Sequence, residues 1–173
     1  MKICIVNPSR CSSTVLLSVL ANKLKNFTTV YEILNHQDGL ELLATPGNII
    51  FKYQYLWANK SLQGADKYII ADRKDLDAWA YSSYMSFVNH HHHGKLPIDV
   101  KAIYNKIDFL KHKDNLLKMY HESWVPERNW LLANGADIVW HEEIQDKFND
   151  VYFNNIKLEK VWSFYASQRQ CPK

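Results

Sequence analysis

The 173-residue chain contains no apolar stretch that approaches a membrane span, so a membrane partner is not expected. Nothing at the N-terminus reads as a signal peptide: the apolar run after Lys2 is short, and Pro8 and Arg10 interrupt it. Cysteine is scarce. Cys4, Cys11 and Cys171 make an odd count without metal-type spacing, which argues for free thiols in a reducing compartment and a cytoplasmic location. Strong charge of one sign is missing too. A net charge of +3 gives no nucleic-acid signature, yet it suits a small anionic ligand. There is no internal repeat and no low-complexity linker, so residues 1–173 read as one domain. What is present is globular: 47% hydrophobic and 23% charged residues, enough for a substantial core. Six Trp, ten Tyr and seven Phe promise thick packing layers and stacking surfaces.

The chain is organised around its first 25 residues. Lys2-Ile3-Cys4-Ile5-Val6 reads as a buried parallel strand, Asn7 to Ser13 as a polar turn, and Thr14 to Lys25 as a helix with N-capping Ser and Thr before it. Such a turn presents backbone N–H groups and the positive end of the helix dipole to an anion, and Arg10 adds a charge that can fork onto oxyanions. It serves equally as a plain strand-to-helix connection. The Walker A pattern, with two Gly and a Lys-Ser/Thr end, is absent.

Downstream, residues 27–34 read as a strand or an ordered loop, Asn35 to Gly39 as a turn, and 40–44 as one or two helical turns. Strands are expected at 48–55, 66–72 and 136–141, with a partly helical connection over 56–64. Helices are expected at 75–88, 98–119 and 127–134, the last stopped by Gly135. Residues 89–97, with His90 to His93, read as a loop, and 151–164 as a mixed segment. Alternating strands and helices predict an α/β fold: a three-layer α/β/α arrangement with a mainly parallel central sheet. Ligands of such sheets sit beyond the carboxyl ends of the strands, which gathers 9–14, 53–56, 73–77 and 141–143 around one crevice.

Ser9-Arg10-Cys11-Ser12-Ser13-Thr14, followed by Val15-Leu16-Leu17, resembles the phosphosulfate loop of P-loop-type sulfotransferases. That loop has the form Pro-Arg/Lys-Ser-Gly-Thr/Ser-Thr. Arg10 falls at its basic position, and Ser13 and Thr14 at its hydroxyl pair, while Cys11 stands in the usual Ser place and Ser12 in the usual Gly place. A second element of the family, a strand ending in Arg with a Ser about two helical turns on, is similar to 68–84. It implies that Arg73 and Ser82 contact a 3′-phosphate, with Lys74 as the alternative to Arg73. Trp140-His141-Glu142-Glu143-Ile144 echoes a late family strand that ends in Tyr-Glu-Asp-Leu.

The resemblance implies a P-loop nucleoside triphosphate hydrolase-like fold and 3′-phosphoadenosine 5′-phosphosulfate as sulfuryl donor. The acceptor would be a hydroxyl of a small molecule, glycan or peptide, and no metal is implied. Ser9 to Thr14, Arg73 and Ser82 would then hold the nucleotide, with Arg10 stabilising the leaving bridging oxygen. Glu32 lies where some members carry the general base, with His36 as second choice. Lys52 either pairs with phosphosulfate oxygens or flanks a strand.

Other polar and aromatic residues have plainer readings. His90 to His93 are read as a solvated loop over the cleft and not as metal ligands, since adjacent histidines point apart and no Cys or carboxylate pair completes a set. His112, His121 and Glu122 read as surface, and Trp124, Trp130 and Trp140 as core. Two rivals to an enzyme remain: a nucleotide or phosphate binder without transfer activity, and an interaction protein with an aromatic surface. No counterpart of the family's C-terminal Gly-rich nucleotide loop is seen in the sequence, which favours the first of them.

Overall fold

The computed structural model describes residues 1–88, 106–147, 152–153 and 156–157. Its elements in order are β1 (Lys2–Asn7), α1 (Ser13–Lys23), β2 (Thr28–Ile33), α2 (His36–Ala44), β3 (Ile49–Gln54), α3 (Tyr55–Ala58), β4 (Lys67–Asp72) and α4 (Leu76–Val88). There follow α5 (Lys106–Met119), a π-turn (Tyr120–Trp124), α6 (Val125–Ala133), β5 (Asp137–Trp140) and α7 (His141–Lys147). A short antiparallel pair, β6 (Tyr152–Phe153) and β7 (Ile156–Lys157), comes last. The five main strands form one all-parallel sheet in the order β2-β3-β1-β4-β5.

Strand periodicity divides the core. Cys4, Val6, Phe51, Tyr53 and Ile70 face one layer, where they meet Trp79, Tyr84, Phe109, Tyr120, Trp124 and Leu131. Ile3, Ile5, Ile50, Ile69 and Ala71 face the other, against Leu16, Leu17 and Val19 of α1 and Ile144 of α7. β1 and β3 are buried along their whole length, as parallel strands covered on both faces require. The result is the expected three-layer α/β/α arrangement.

Residues 27–34 resolve as strand β2, with a bulge: Val30 and Ile33 pair with Phe51 and Tyr53, so three steps on β2 match two on β3. Two local expectations change. Residues 35–39 are not a free turn. Asn35 caps α2 by accepting from the Asp38 N–H at 2.9 Å, and Gly39 lies inside the helix. A Cβ there would stand 3.0 Å from both Leu62 methyls, so Gly39 marks a close approach. The second change concerns 120–126, which the sequence left between two helices. Within the described residues, α5, the π-turn and α6 run on without an exit. Pro126 sits at the start of α6, directly after the point where Val125 N donates five residues back to Tyr120 O. The expected stop at Gly135 is present: φ is 81°, Ala136 N donates to Leu131 O at 3.0 Å and Gly135 N to Leu132 O at 3.1 Å.

Glu127 on α6 is 6% exposed and accepts from the Ser61 hydroxyl. Burial pushes its carboxyl above the usual range, and the Ser61 bond offsets this only in part. A raised folded-state pKa means that the native chain holds the proton longer than the unfolded one. Stability is therefore fully present below about pH 4.5 and is lost as pH rises through the folded value. Glu127→Gln keeps the acceptor and removes the charge. Its expected effect is a melting temperature higher by about 2–4 °C at pH 7, roughly 1 kcal/mol for a chain of this size, and no gain at pH 4. Thermal melts at the two pH values check it.

Candidate functional site

The turn between β1 and α1 lies at the carboxyl end of the central strand. Ser9, Arg10 and Ser12 hold left-handed backbone, with φ of 77°, 57° and 57°. Each costs an L-residue about 1–2 kcal/mol, and such strain persists where the surroundings impose it. Here they do. Buried Asn7 accepts from Ser9 N at 2.9 Å and donates to Tyr53 O at 3.2 Å. Trp79 Nε1 of α4 donates to Ser9 O at 3.0 Å, and the Cys11 thiol to the same oxygen at 3.1 Å. The first N–H groups of α1 point out of the helix without helical partners.

Two cations hold this turn and the start of α1, and a third stands past the end of the neighbouring strand β4. Arg10 Nε donates to Ser82 Oγ of α4 at 3.1 Å. Lys52 Nζ donates to Thr14 Oγ1 at 2.8 Å and pairs with Glu32 at 2.8 Å. Burial lowers the Lys52 ammonium's pKa, the Glu32 bond and charge oppose that, and the Arg10 charge lowers it further. Arg73, just past β4, is only 8% exposed, yet its Nε and Nη1 have no hydrogen-bond partner among the described residues. Glu142 Oε1 stands 4.0 Å from Nε, a long ion pair. Burial pushes the Cys11 thiol well up, Asp72 and Glu142 add to this, and the charges of Arg73 and Arg10 oppose it. Both guanidiniums therefore act on the same turn, and Cys11 is an inert buried thiol.

Glu142 holds the turn that leads into α4, and Asp75 caps the helix by accepting from Ala78 N at 2.9 Å. The Glu142 carboxylate accepts from Lys74 N and Asp75 N at 3.1 Å. Burial works to raise its pKa, but those N–H groups and the His141 charge hold it below the usual carboxylate range. Beside the turn opens a pocket of about 180 Å³ lined by Ser9, Arg10, Trp57, Trp79, Ser83 and Met119, among others. The Ser83 hydroxyl is buried without a hydrogen-bond partner among the described residues.

The structure brings most of the expected residues together, with different partners than the sequence implied. Ser9 to Thr14 form the strained turn. Arg10 and Ser82, expected at opposite ends of a nucleotide, are in contact. Ser12 does not cap α1: its hydroxyl lies 2.6 Å from His141 Nδ1. Ser13 is buried at the start of α1. Of the two candidates after β4, Arg73 is the buried one. Lys74 is exposed, 2.9 Å from Glu143 and 5.4 Å above the Trp140 ring. Glu32 also accepts from Gln54 Nε2, because the β2 bulge turns it toward Lys52. His36 Nδ1 lies 3.3 Å from the Tyr53 hydroxyl. Trp124 is core, Trp140 half-buried, and Trp130, expected in the core, is 37% exposed. His112, His121 and Glu122 are at the surface. His90 to His93 lie outside the described residues. Among the described residues no cluster of three His, Cys, Asp or Glu could hold a metal, and no helix is long and apolar enough to cross a membrane.

Sequence reasoning missed two features. Asp72 is fully buried and accepts from Tyr120 Oη at 2.6 Å, Trp124 Nε1 at 2.9 Å, Arg128 Nη1 at 3.0 Å and Arg73 N at 2.8 Å. An Asp closing an apolar strand, with donors spaced four apart at 120, 124 and 128, is the signal that pointed there. The second feature is the contact between Ser12 and His141: the sequence placed 141–143 at the crevice but gave His141 no partner there. No family model matches the chain and no curated protein matches it, so function rests on the site itself.

Proposed function

We propose that this strand-end cluster binds 3′-phosphoadenosine 5′-phosphosulfate and transfers its sulfuryl group to a hydroxyl acceptor. One observation carries the reading: a buried guanidinium, Arg73, with unpartnered Nε and Nη1 beside a strained strand-to-helix turn that also gathers Arg10 and Lys52. Buried unpaired donors are costly and call for an anion. Two cationic centres suit a ligand with two anionic ends. Arg73 takes the 3′-phosphate. The N–H groups of the 10–14 turn, with Ser13 and Thr14, take the phosphosulfate, and Arg10 lies between with Ser82.

Transfer makes an acceptor O–S bond and breaks the bond from sulfur to the bridging oxygen. The acceptor proton passes to Glu32, and 3′-phosphoadenosine 5′-phosphate leaves. Arg10 and the turn N–H groups neutralise the bridging oxygen as its charge develops. Lys52 links the base to the cradle, bonded to both Glu32 and Thr14.

A second reading, nucleotide binding without transfer, is favoured by the double hold of Lys52 and Gln54 on Glu32. Incubation with radiolabelled donor and a library of hydroxyl compounds separates the two. Label in an acceptor, reduced about 100-fold or more by Glu32→Gln, is the expected result. Tight binding with no labelled product establishes the second reading instead.

A further inference from the structure

We infer that His141 is a positioning residue of the anion turn, acting through Ser12. The inference rests on the reading of that turn as a phosphate or phosphosulfate cradle. Ser12 sits at φ 57° and ψ 21° directly before α1, a conformation natural to Gly and strained for Ser. Its hydroxyl makes none of the usual capping bond to the helix. It lies instead 2.6 Å from Nδ1 of His141, a residue 129 positions away at the junction of β5 and α7. β4 lies between β1 and β5 in the sheet, so this contact spans the strand end that carries Arg73. A hydroxyl free to turn back would cap the α1 N–H groups itself and compete with an anion for them. Held by His141, it leaves those groups to the ligand and fixes the left-handed backbone that aims them. A Ser thereby does the work of a Gly, at the cost of needing a partner.

Calorimetry with 3′-phosphoadenosine 5′-phosphate on five proteins tests this. His141→Ala is expected to bind about 5–10-fold more weakly than wild type. His141→Asn, whose amide can reach the Nδ1 position, is expected within about 2-fold of wild type. Ser12→Gly should need no partner, so adding His141→Ala to it should leave its affinity unchanged. Wild-type affinity in His141→Ala overturns the inference. So does a double variant weaker than Ser12→Gly, which would make His141 a direct ligand or a general scaffold. Ligand-free melts decide the matter even if wild type does not bind and the nucleotide reading itself fails. His141→Ala should lower the melting temperature in the wild-type background and not in the Ser12→Gly background; equal losses in both overturn the inference.

Discussion

Arg73→Met is expected to weaken binding of 3′-phosphoadenosine 5′-phosphate by about 100-fold while the melting temperature holds or rises. A guanidinium forked onto a phosphate contributes about 2–4 kcal/mol, which is a factor of roughly 30 to 1,000. The same side chain is a liability to the empty fold. It is 8% exposed, two of its donors have no hydrogen-bond partner among the described residues, and Glu142 Oε1 is 4.0 Å from Nε. A methionine of similar length removes both unpaired donors without opening a large cavity. Function and stability should therefore separate, as they do where strain is kept for a ligand. Calorimetry paired with thermal melts reads both. A variant that melts several degrees lower and still binds would show that Arg73 is structural and Glu142 its true partner.

The largest stability loss is expected at Asp72. Its carboxylate is 0% exposed, and Tyr120, Trp124 and Arg128 donate to it from three successive turns on one side of the helical run. This one group ties the π-turn and α6 to the end of β4. The Tyr120 phenol is pushed far up, by burial first and by its bond to Asp72 second. Asp72→Asn presents an amide donor to neighbours that are themselves donors, and it strips Arg128 of its counter-charge. Breaking a buried pair in this way costs about 3–5 kcal/mol, or roughly 6–20 °C for a chain of this length. Arg128 is 22% exposed, so water can take up part of the stranded charge and the lower half of that range is expected. Denaturant unfolding of Asp72→Asn and Arg128→Met measures it. A loss under about 1 kcal/mol for Asp72→Asn would mean that the apolar contacts of Trp124 hold the π-turn unaided.

Much of the architecture was legible because it is written locally. Ile3 to Val6, Ile49 to Phe51 and Ile69 to Ala71 are apolar runs, and covered parallel strands produce such runs. The Gly135 stop was readable from a single residue. The 35–39 segment misled because Asn and Asp serve both turns and caps, and because the reason for Gly39 is Leu62, a contact from another element. Arg73 was legible as a strand-end basic residue. Its burial was not, since its neighbours, Glu142 of α7 among them, are distant in sequence. The partners of the other site residues were hidden for the same reason. Arg10 meets Ser82 across 72 positions and Ser12 meets His141 across 129, and no local pattern encodes either. The β2 bulge that turns Glu32 onto Lys52 is likewise a property of strand pairing and not of residues 28–33 alone.

A calorimetric titration of the wild-type chain with 3′-phosphoadenosine 5′-phosphate, run beside adenosine 5′-monophosphate, tests the central claim most directly. Two cationic centres, Arg73 and the Arg10 turn, predict one-to-one binding of the bisphosphate, and at least about 10-fold weaker binding of the nucleotide without a 3′-phosphate. Equal affinity for the two, or no heat from either at millimolar concentration, would contradict it.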